Sequence, residues 1–192
     1  AGLVVFDFEL TGPQIRNIEK TMNCQVLDRA GVILDIFARH AKTNEAKTQV
    51  EIAQLEYLLP RLTGAWTHFQ RQKGGRVKAR GMGEKQIEVD RRQARARIAR
   101  LEKRLESISK EREAQRKGRQ NQLKVSIVGY TNTGKTTMMT ALTKSDLLGE
   151  DELFATLDPR VRPLDPESRP KVLLSDTVGF IRELPETLVQ AF

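Results

Sequence analysis

Residues 129–136 read Gly129-Tyr130-Thr131-Asn132-Thr133-Gly134-Lys135-Thr136 and fit the pattern G-x-x-x-x-G-K-[ST]. They follow an apolar run, 123–128, and precede a helix-like stretch, 136–144. That strand–loop–helix context is the one a phosphate-binding loop requires. Gly129 and Gly134 let the backbone turn its N–H groups toward an anion, and the following helix presents the positive end of its dipole there. In such a loop Lys135 reaches the β- and γ-phosphates and the Thr136 hydroxyl binds Mg2+. All eight loop residues, together with Thr137, are expected to contact the nucleotide.

A second pattern lies about forty residues on, where Asp176-Thr177-Val178-Gly179 ends an apolar strand at 172–175. Asp-x-x-Gly at that place is the usual second element of a GTPase. Asp176 is expected to hold Mg2+, directly or through water, and the Gly179 N–H to meet the γ-phosphate. Between the two patterns lies 151–163, which contains Phe154-Ala155-Thr156-Leu157-Asp158-Pro159. That is where a switch segment offers a threonine to the metal and the γ-phosphate, which puts Phe154 and Thr156 in the nucleotide site. Metal contact falls to Thr136, Thr156 and Asp176, and catalysis to Lys135, Thr156 and Gly179. Many GTPases place a Gln after Asp-x-x-Gly to orient the attacking water. Here the position is Phe180, which cannot hydrogen-bond through its side chain. Slow intrinsic turnover follows, with help from a partner or from K+ held near Asn132. A turn role for Asn132 is the competing reading.

The elements that must position these residues fall into three parts. Residues 1–42 read as a partial β-α-β-α unit: a strand at 3–8, a helix opened by Thr11 with Gln14 three residues on, a short strand at 25–27 and a helix at 31–41. Residues 43–119 read as a long antiparallel helical hairpin. Its first arm, 44–72, carries one apolar stripe at Val50, Ala53 and Tyr57. A second stripe runs through Ile52, Leu55, Leu59, Leu62, Trp66 and Phe69, and Pro60 predicts a kink. Its second arm, 84–119, repeats Ile87, Ala94, Leu101 and Ile108 every seven residues, with Ile98 and Leu105 between and Arg91 interrupting. Residues 120–192 read as the first part of a nucleotide-binding domain. The fold class is therefore α/β with an inserted hairpin. About seventy residues follow the start of the nucleotide-binding part, where a doubly wound domain needs ~150. No Asn-Lys-x-Asp base-reading motif is present, so a truncated domain is expected, inactive by itself.

The hairpin tip, 73–83, holds four glycines and four cations, Lys73, Arg76, Lys78 and Arg80, and no acidic residue occurs from Tyr57 to Gly83. A one-signed flexible tip between rigid helices suits RNA phosphates. The tip lacks aromatics, so base stacking is not its mode. The chain as a whole has 192 residues and a formal charge of +8, with 30% charged and 5% aromatic residues. That balance points to a polyanionic partner, nucleic acid before an anionic membrane. No run approaches the ~20 apolar residues of a membrane span, and no signal peptide is visible. The single cysteine, Cys24, reads as a small core residue, and its solitude suits a reducing compartment.

Four stretches together resemble the HflX family of ribosome-associated GTPases. They are Asp28 through Phe37, Trp66 through Gly75, the loop Gly129 to Thr136, and the pair Phe154 to Pro159 with Asp176 to Ile181. The middle of the tip, Arg76-Val77-Lys78-Ala79-Arg80, is longer and more basic than the family pattern. Thr133 and Thr136-Thr137 replace its Ala and Ser-Thr without changing the chemistry. The resemblance implies a cytoplasmic factor that binds and hydrolyses GTP with Mg2+; a monomer is expected. It also implies that the protein associates with the large ribosomal subunit and its RNA, and splits or rescues stalled ribosomes. Independently of the resemblance, the residues also admit another phosphate-loop ATPase or kinase, or a non-enzymatic RNA-binding hairpin.

Overall fold

The computed structural model describes residues 2–62, 82–116, 122–144, 161–165, 167 and 170–181. The chain divides into two compact units. The first is Ala1–Asp35 with Glu51–Arg104, and the second is Ile36–Val50 with Leu105–Phe192.

In the first unit, β1 (Leu3–Val5) pairs in parallel with β2 (Gln25–Leu27), in the register Val4 opposite Val26. The expected strand at 3–8 is shorter than its apolar run, although the Phe6 N–H still donates to the Leu27 carbonyl at 2.9 Å. The crossover is α1 (Gly12–Met22). Its start follows the sequence, because the Thr11 N–H donates to Gln14 Oε1 at 2.8 Å. Asn23, at φ 48°, ends it in the left-handed region that Asn tolerates. Leu10, Ile15 and Val26 form the core here, with Phe6 and Ile18 packed on them. Cys24, expected as a core residue, is only half-buried.

The helix expected from Gly31 begins earlier, as α2 (Arg29–His40). Asp28 caps it: the Gly31 N–H donates to Asp28 Oδ1 at 2.9 Å. Asp28 is also fully buried. Its Oδ1 accepts the Tyr57 hydroxyl at 2.5 Å, and its Oδ2 accepts the Leu10 N–H at 3.1 Å and the Arg61 guanidinium at 2.7 Å. Arg61 further donates to the carbonyls of Tyr57 and Leu10 and lies 3.5 Å over the Tyr57 ring. Burial pushes the Asp28 carboxyl upward, but the donors from Tyr57, Gly31 and Leu10 and the Arg61 charge outweigh it and hold it below the ordinary aspartate range. Burial, then the bond to Asp28, raises the Tyr57 phenol far above its usual value.

The first hairpin arm is α3 (Asn44–Leu58), which tightens into a 3-10 turn over Leu59–Leu62. Pro60, where the sequence predicts a kink, lies in this turn and cannot donate an intrahelical bond. The remainder of the arm expected to 72 lies outside the described residues. The second arm is α4 (Met82–Arg116). Within the first unit, Arg97 pairs with Glu51 at 2.8 Å. Within the second, Arg112 pairs with Glu45. The two pairings descend along one helix as they ascend along the other, so α3 and α4 run antiparallel. Val50 and Ala53 of the predicted stripe are buried, as are Ile98 and Leu101 of the seam.

Also in the second unit, a three-stranded sheet has the order β3 (Leu123–Ile127), β5 (Val172–Asp176), β4 (Val161–Pro163). β3 and β5 are parallel, with Ile127 opposite Asp176. β4 is antiparallel to β5, with Arg162 opposite Leu174. Val161–Pro163 fall at the end of the switch segment expected over 151–163, and they form a strand. Pro163 sits at its end, on an edge strand, where its missing N–H costs no ladder bond. α5 (Lys135–Thr143) follows the loop and buries Met139 completely. Among the described residues, no helix is long and apolar enough to cross a membrane.

Candidate functional site

Parallel pairing of β3 with β5 brings the carboxyl ends of both strands to one edge, where ligands of α/β sheets bind. The loop Gly129 to Gly134 leaves one of these ends, and Thr177 to Gly179 leaves the other. The loop turns through two left-handed residues, Asn132 at φ 55° and Gly134 at φ 79°. Gly is the natural residue at the second, because a side chain is strained there. Gly134 immediately precedes α5, whose N-terminal amides and dipole therefore face the loop.

Within the loop the Tyr130 carbonyl is a shared acceptor. Lys135 Nζ donates to it at 2.5 Å and the Thr133 hydroxyl at 2.8 Å. Burial pushes the Lys135 ammonium below the ordinary lysine value, and the nearby Asp176 charge pulls it partly back. Across the site, the Thr136 hydroxyl donates to Asp176 Oδ2 at 2.8 Å. Asp176 is fully buried at the end of β5. Two residues 40 apart in sequence, both expected at the metal, thus share one hydrogen bond. A hydroxyl and a carboxylate so placed are hard oxygen donors of the kind Mg2+ takes, and their contact fits the group.

The loop and the Asp-x-x-Gly segment are also tied through their backbones. Past the strand ends the parallel pairing resumes as a bridge between Tyr130 and Phe180. The Phe180 N–H donates to the Gly129 carbonyl at 2.9 Å, and the Thr131 N–H donates to the Phe180 carbonyl at 2.9 Å. The Thr177 hydroxyl reaches the Ile127 carbonyl at 2.7 Å. Gly179 is buried, and a Cβ on it would lie 2.6 Å from Thr131 Cα, so only glycine fits that approach. The Phe180 side chain itself is exposed.

The structure therefore brings together Gly129 through Thr136, Asp176 and Gly179. Thr137 is exposed in the first turn of α5. Phe154 and Thr156 lie outside the described residues, as do Lys73, Arg76, Lys78 and Arg80. Sequence reasoning missed the tie made by Thr177 and the backbone role of Phe180. It missed the Tyr130 carbonyl too, because main-chain acceptors leave no residue signature. The Thr177 tie could have been suspected only from its place between Asp176 and Gly179.

Comparison with known proteins bears on the whole chain. Residues 1–38 match the model described as GTP-binding GTPase N-terminal, and residues 40–119 match GTP-binding GTPase Middle Region. Residues 124–192 match 50S ribosome-binding GTPase. The chain is 54% identical over 189 residues to GTPase HflX of Flavobacterium psychrophilum, covering 98% of this chain and 45% of that protein. It is 50% identical over 197 residues to GTPase HflX of Escherichia coli K12, covering 100% of this chain and 45% of that protein. The chain thus spans less than half the length of these curated relatives. Among solved structures, the complex of SsGBP with GDP matches with a TM-score of 0.52 and 32% identity, over 100% of this chain and 49% of that one. With three consecutive family models matched along its length and these relatives at half identity or more, the chain belongs to the HflX family of GTPases.

Proposed function

We propose that the protein binds GTP and GDP with Mg2+, hydrolyses GTP slowly, and associates through RNA contacts with the large ribosomal subunit, where it splits or rescues stalled ribosomes. The observation that carries the nucleotide reading is the Thr136–Asp176 hydrogen bond beside Lys135, which joins two of the three metal-binding candidates. Guanine specificity is supported by the GDP bound to the SsGBP relative and by the family. The ribosomal partner is supported by the description of the model matched at 124–192 and by the basic tip. Lys135 holds the phosphates, Thr136, Asp176 and Thr156 the metal, and Gly179 the γ-phosphate through its N–H. Mg2+ when bound neutralises developing phosphate charge. The working division is 1–42, 43–119 and 120–192, in a cytoplasmic monomer.

Phe180 leaves no side chain to orient water, so basal hydrolysis by the full-length protein is expected to be slow in Na+. It should rise in K+ if Asn132 helps hold that ion, and rise with large subunits. Phe180→Ala should leave the basal rate nearly unchanged, because the ties of Phe180 to the loop are made by its main chain. Steady-state phosphate release across these conditions checks each point. Fast turnover in Na+ by the isolated protein, or a large loss in Phe180→Ala, would show that the catalytic groups lie elsewhere.

The tip carries a separate expectation. Replacing Arg76, Lys78 and Arg80 together by Ala should lower ribosome affinity and flatten its salt dependence by roughly one counterion per lost phosphate contact. Nucleotide affinity should stay unchanged. Equal sedimentation with ribosomes at every salt concentration would make the tip a solvated loop.

A further inference from the structure

The parallel register of β3 and β5 does not continue unchanged into the segments that leave them. Ile127 lies opposite Asp176, and past the strand ends Tyr130 lies opposite Phe180. Val128 and Gly129 therefore stand opposite Thr177, Val178 and Gly179, so the Asp-x-x-Gly side carries one residue more. An extra residue on one strand, as in a β-bulge, interrupts the ladder, bends that strand and re-aims its side chains, often next to an active site. Here the insertion begins directly after Asp176, the carboxylate expected at the metal. It ends at Gly179, whose amide is expected at the γ-phosphate.

An interrupted ladder leaves backbone groups that need other partners. The Thr177 hydroxyl supplies one: it donates to the Ile127 carbonyl at 2.7 Å, 50 residues back in sequence. Ile127 is the residue opposite Asp176, so this bond falls where the regular register ends. At the far end the Phe180 N–H donates to the Gly129 carbonyl at 2.9 Å, and the Thr131 N–H donates to the Phe180 carbonyl at 2.9 Å. Val178 and Gly179 thus form a short span anchored on both sides. The second anchor is main chain. The first is a side chain, and a substitution can remove it without altering the backbone.

The span has little room to shift toward the loop, because a Cβ on Gly179 would lie 2.6 Å from Thr131 Cα. On the other side Asp176 is fully buried and accepts the Thr136 hydroxyl at 2.8 Å. Thr177 lies between these two fixed groups and is itself half-buried.

We propose that Thr177 is a positioning residue for the γ-phosphate: its hydroxyl, anchored on the Ile127 carbonyl, sets the Gly179 amide that a nucleoside triphosphate meets. The inference rests on the nucleotide reading above and deepens it, by assigning this side chain a part in telling triphosphate from diphosphate. The loop 129–136 holds phosphates that a diphosphate also carries, whereas the Gly179 amide serves the γ-phosphate alone. Loss of the anchor therefore weakens triphosphate binding more than diphosphate binding. A hydroxyl that only satisfied a carbonyl would, when removed, lower stability and leave that preference as it was.

The test compares the full-length protein with Thr177→Val, which removes the hydroxyl and keeps the shape, and with Thr177→Ser, which keeps the hydroxyl. Calorimetry with Mg2+ gives affinities for GDP and for a non-hydrolysable GTP analogue. Hydrogen exchange across 176–181 is followed without nucleotide, and a thermal scan accompanies each variant. Should Thr177→Val not fold, Thr177→Ala, which also lacks the hydroxyl, is judged by the same ratio of affinities.

Thr177→Val is expected to weaken the triphosphate analogue about threefold to tenfold, the effect of one neutral hydrogen bond, with GDP affinity changed by less than about twofold. Exchange across 176–181 should be faster than in wild type. Thr177→Ser should keep both the wild-type preference and the slower exchange. An unchanged ratio of analogue to GDP affinity in Thr177→Val overturns the proposal, and so does unchanged exchange. Equal losses for both nucleotides overturn it too, by making the hydroxyl a purely structural group. The same change of ratio in Thr177→Ser would assign the effect to the methyl group and reject the hydroxyl anchor. Wild-type protein that binds neither nucleotide sinks the nucleotide reading itself. Wild-type protein that binds both, beside an unchanged Thr177→Val, sinks only the role of Thr177.

Discussion

Lys135→Ala should weaken guanine nucleotide binding by the full-length protein by one to two orders of magnitude. The lost contacts are charge-assisted hydrogen bonds to phosphate, each worth roughly 1.5–3 kcal/mol net. In the structure the Lys135 ammonium is already held at the loop, 2.5 Å from the Tyr130 carbonyl. Phosphate therefore meets a placed charge rather than a free side chain. Calorimetry with GDP and GTP measures the effect, and unchanged affinity would remove 129–136 as the site.

The same lysine predicts a dependence on pH. Burial lowers its pKa in the nucleotide-free protein, and only the charged form attracts phosphate. Wild-type affinity should therefore start to fall, as pH rises, sooner than an ordinary lysine would make it. Lys135→Arg, which stays charged, should show no such fall, though it need not match the wild-type affinity because its planar fork is shaped differently.

Asp28→Ala should be the most destabilising single change in the first unit. It would leave the Arg61 guanidinium, with 17% of its side chain exposed, facing a cavity where its carboxylate had been. Breaking a buried pair by removing one partner costs about 3–5 kcal/mol. The Tyr57 hydroxyl and the Leu10 and Gly31 amides would lose their acceptor as well. Asp28→Asn keeps the shape and some acceptor capacity, so it should cost less. Arg61→Ala should cost nearly as much as Asp28→Ala, and the double variant less than the sum, because the two act as one unit.

Urea unfolding of the three variants and the double variant gives these values. Additive costs would mean that the pair is not coupled. The pH dependence has a definite sign. The Asp28 carboxyl sits below the ordinary aspartate value in the folded chain, so its contribution is complete above that ordinary value. The contribution is lost as pH falls through the lowered one. Acid unfolding should accordingly be shifted in Asp28→Asn, while stability near neutral pH differs by a constant amount.

The two predictions draw on different kinds of information. Lys135 was legible from its neighbours alone, since a loop pattern spaced over eight residues is local and a strand and helix on either side complete its context. The helices of the hairpin were legible for the same reason: apolar positions recurring at steps of three, four and seven are written within each arm. The capping box at Thr11 and Gln14 and the change to a 3-10 turn around Pro60 are likewise properties of a few adjacent residues.

Asp28 was different. Its three side-chain and main-chain neighbours beyond the cap come from Leu10, Tyr57 and Arg61, 18, 29 and 33 residues away. No local period records which carboxylate will be buried or which cation will reach it. β4 escaped for a related reason: three residues have too short a pattern to be read, and only the antiparallel edge of β5 makes them a strand.

The site divides along the same line. The sequence by itself determined the loop, the Asp-x-x-Gly segment and the types of group they offer. The tertiary structure alone decided that Thr136 and Asp176 would touch, that Gly179 would press against Thr131, and that the Phe180 backbone would close on Gly129 and Thr131. Those contacts follow from parallel pairing of β3 with β5 across 49 residues of chain, as Ile127 opposite Asp176 records. A parallel register is set by crossover length and by packing on both faces of the sheet, which are properties of the folded molecule and not of any one stretch of its sequence.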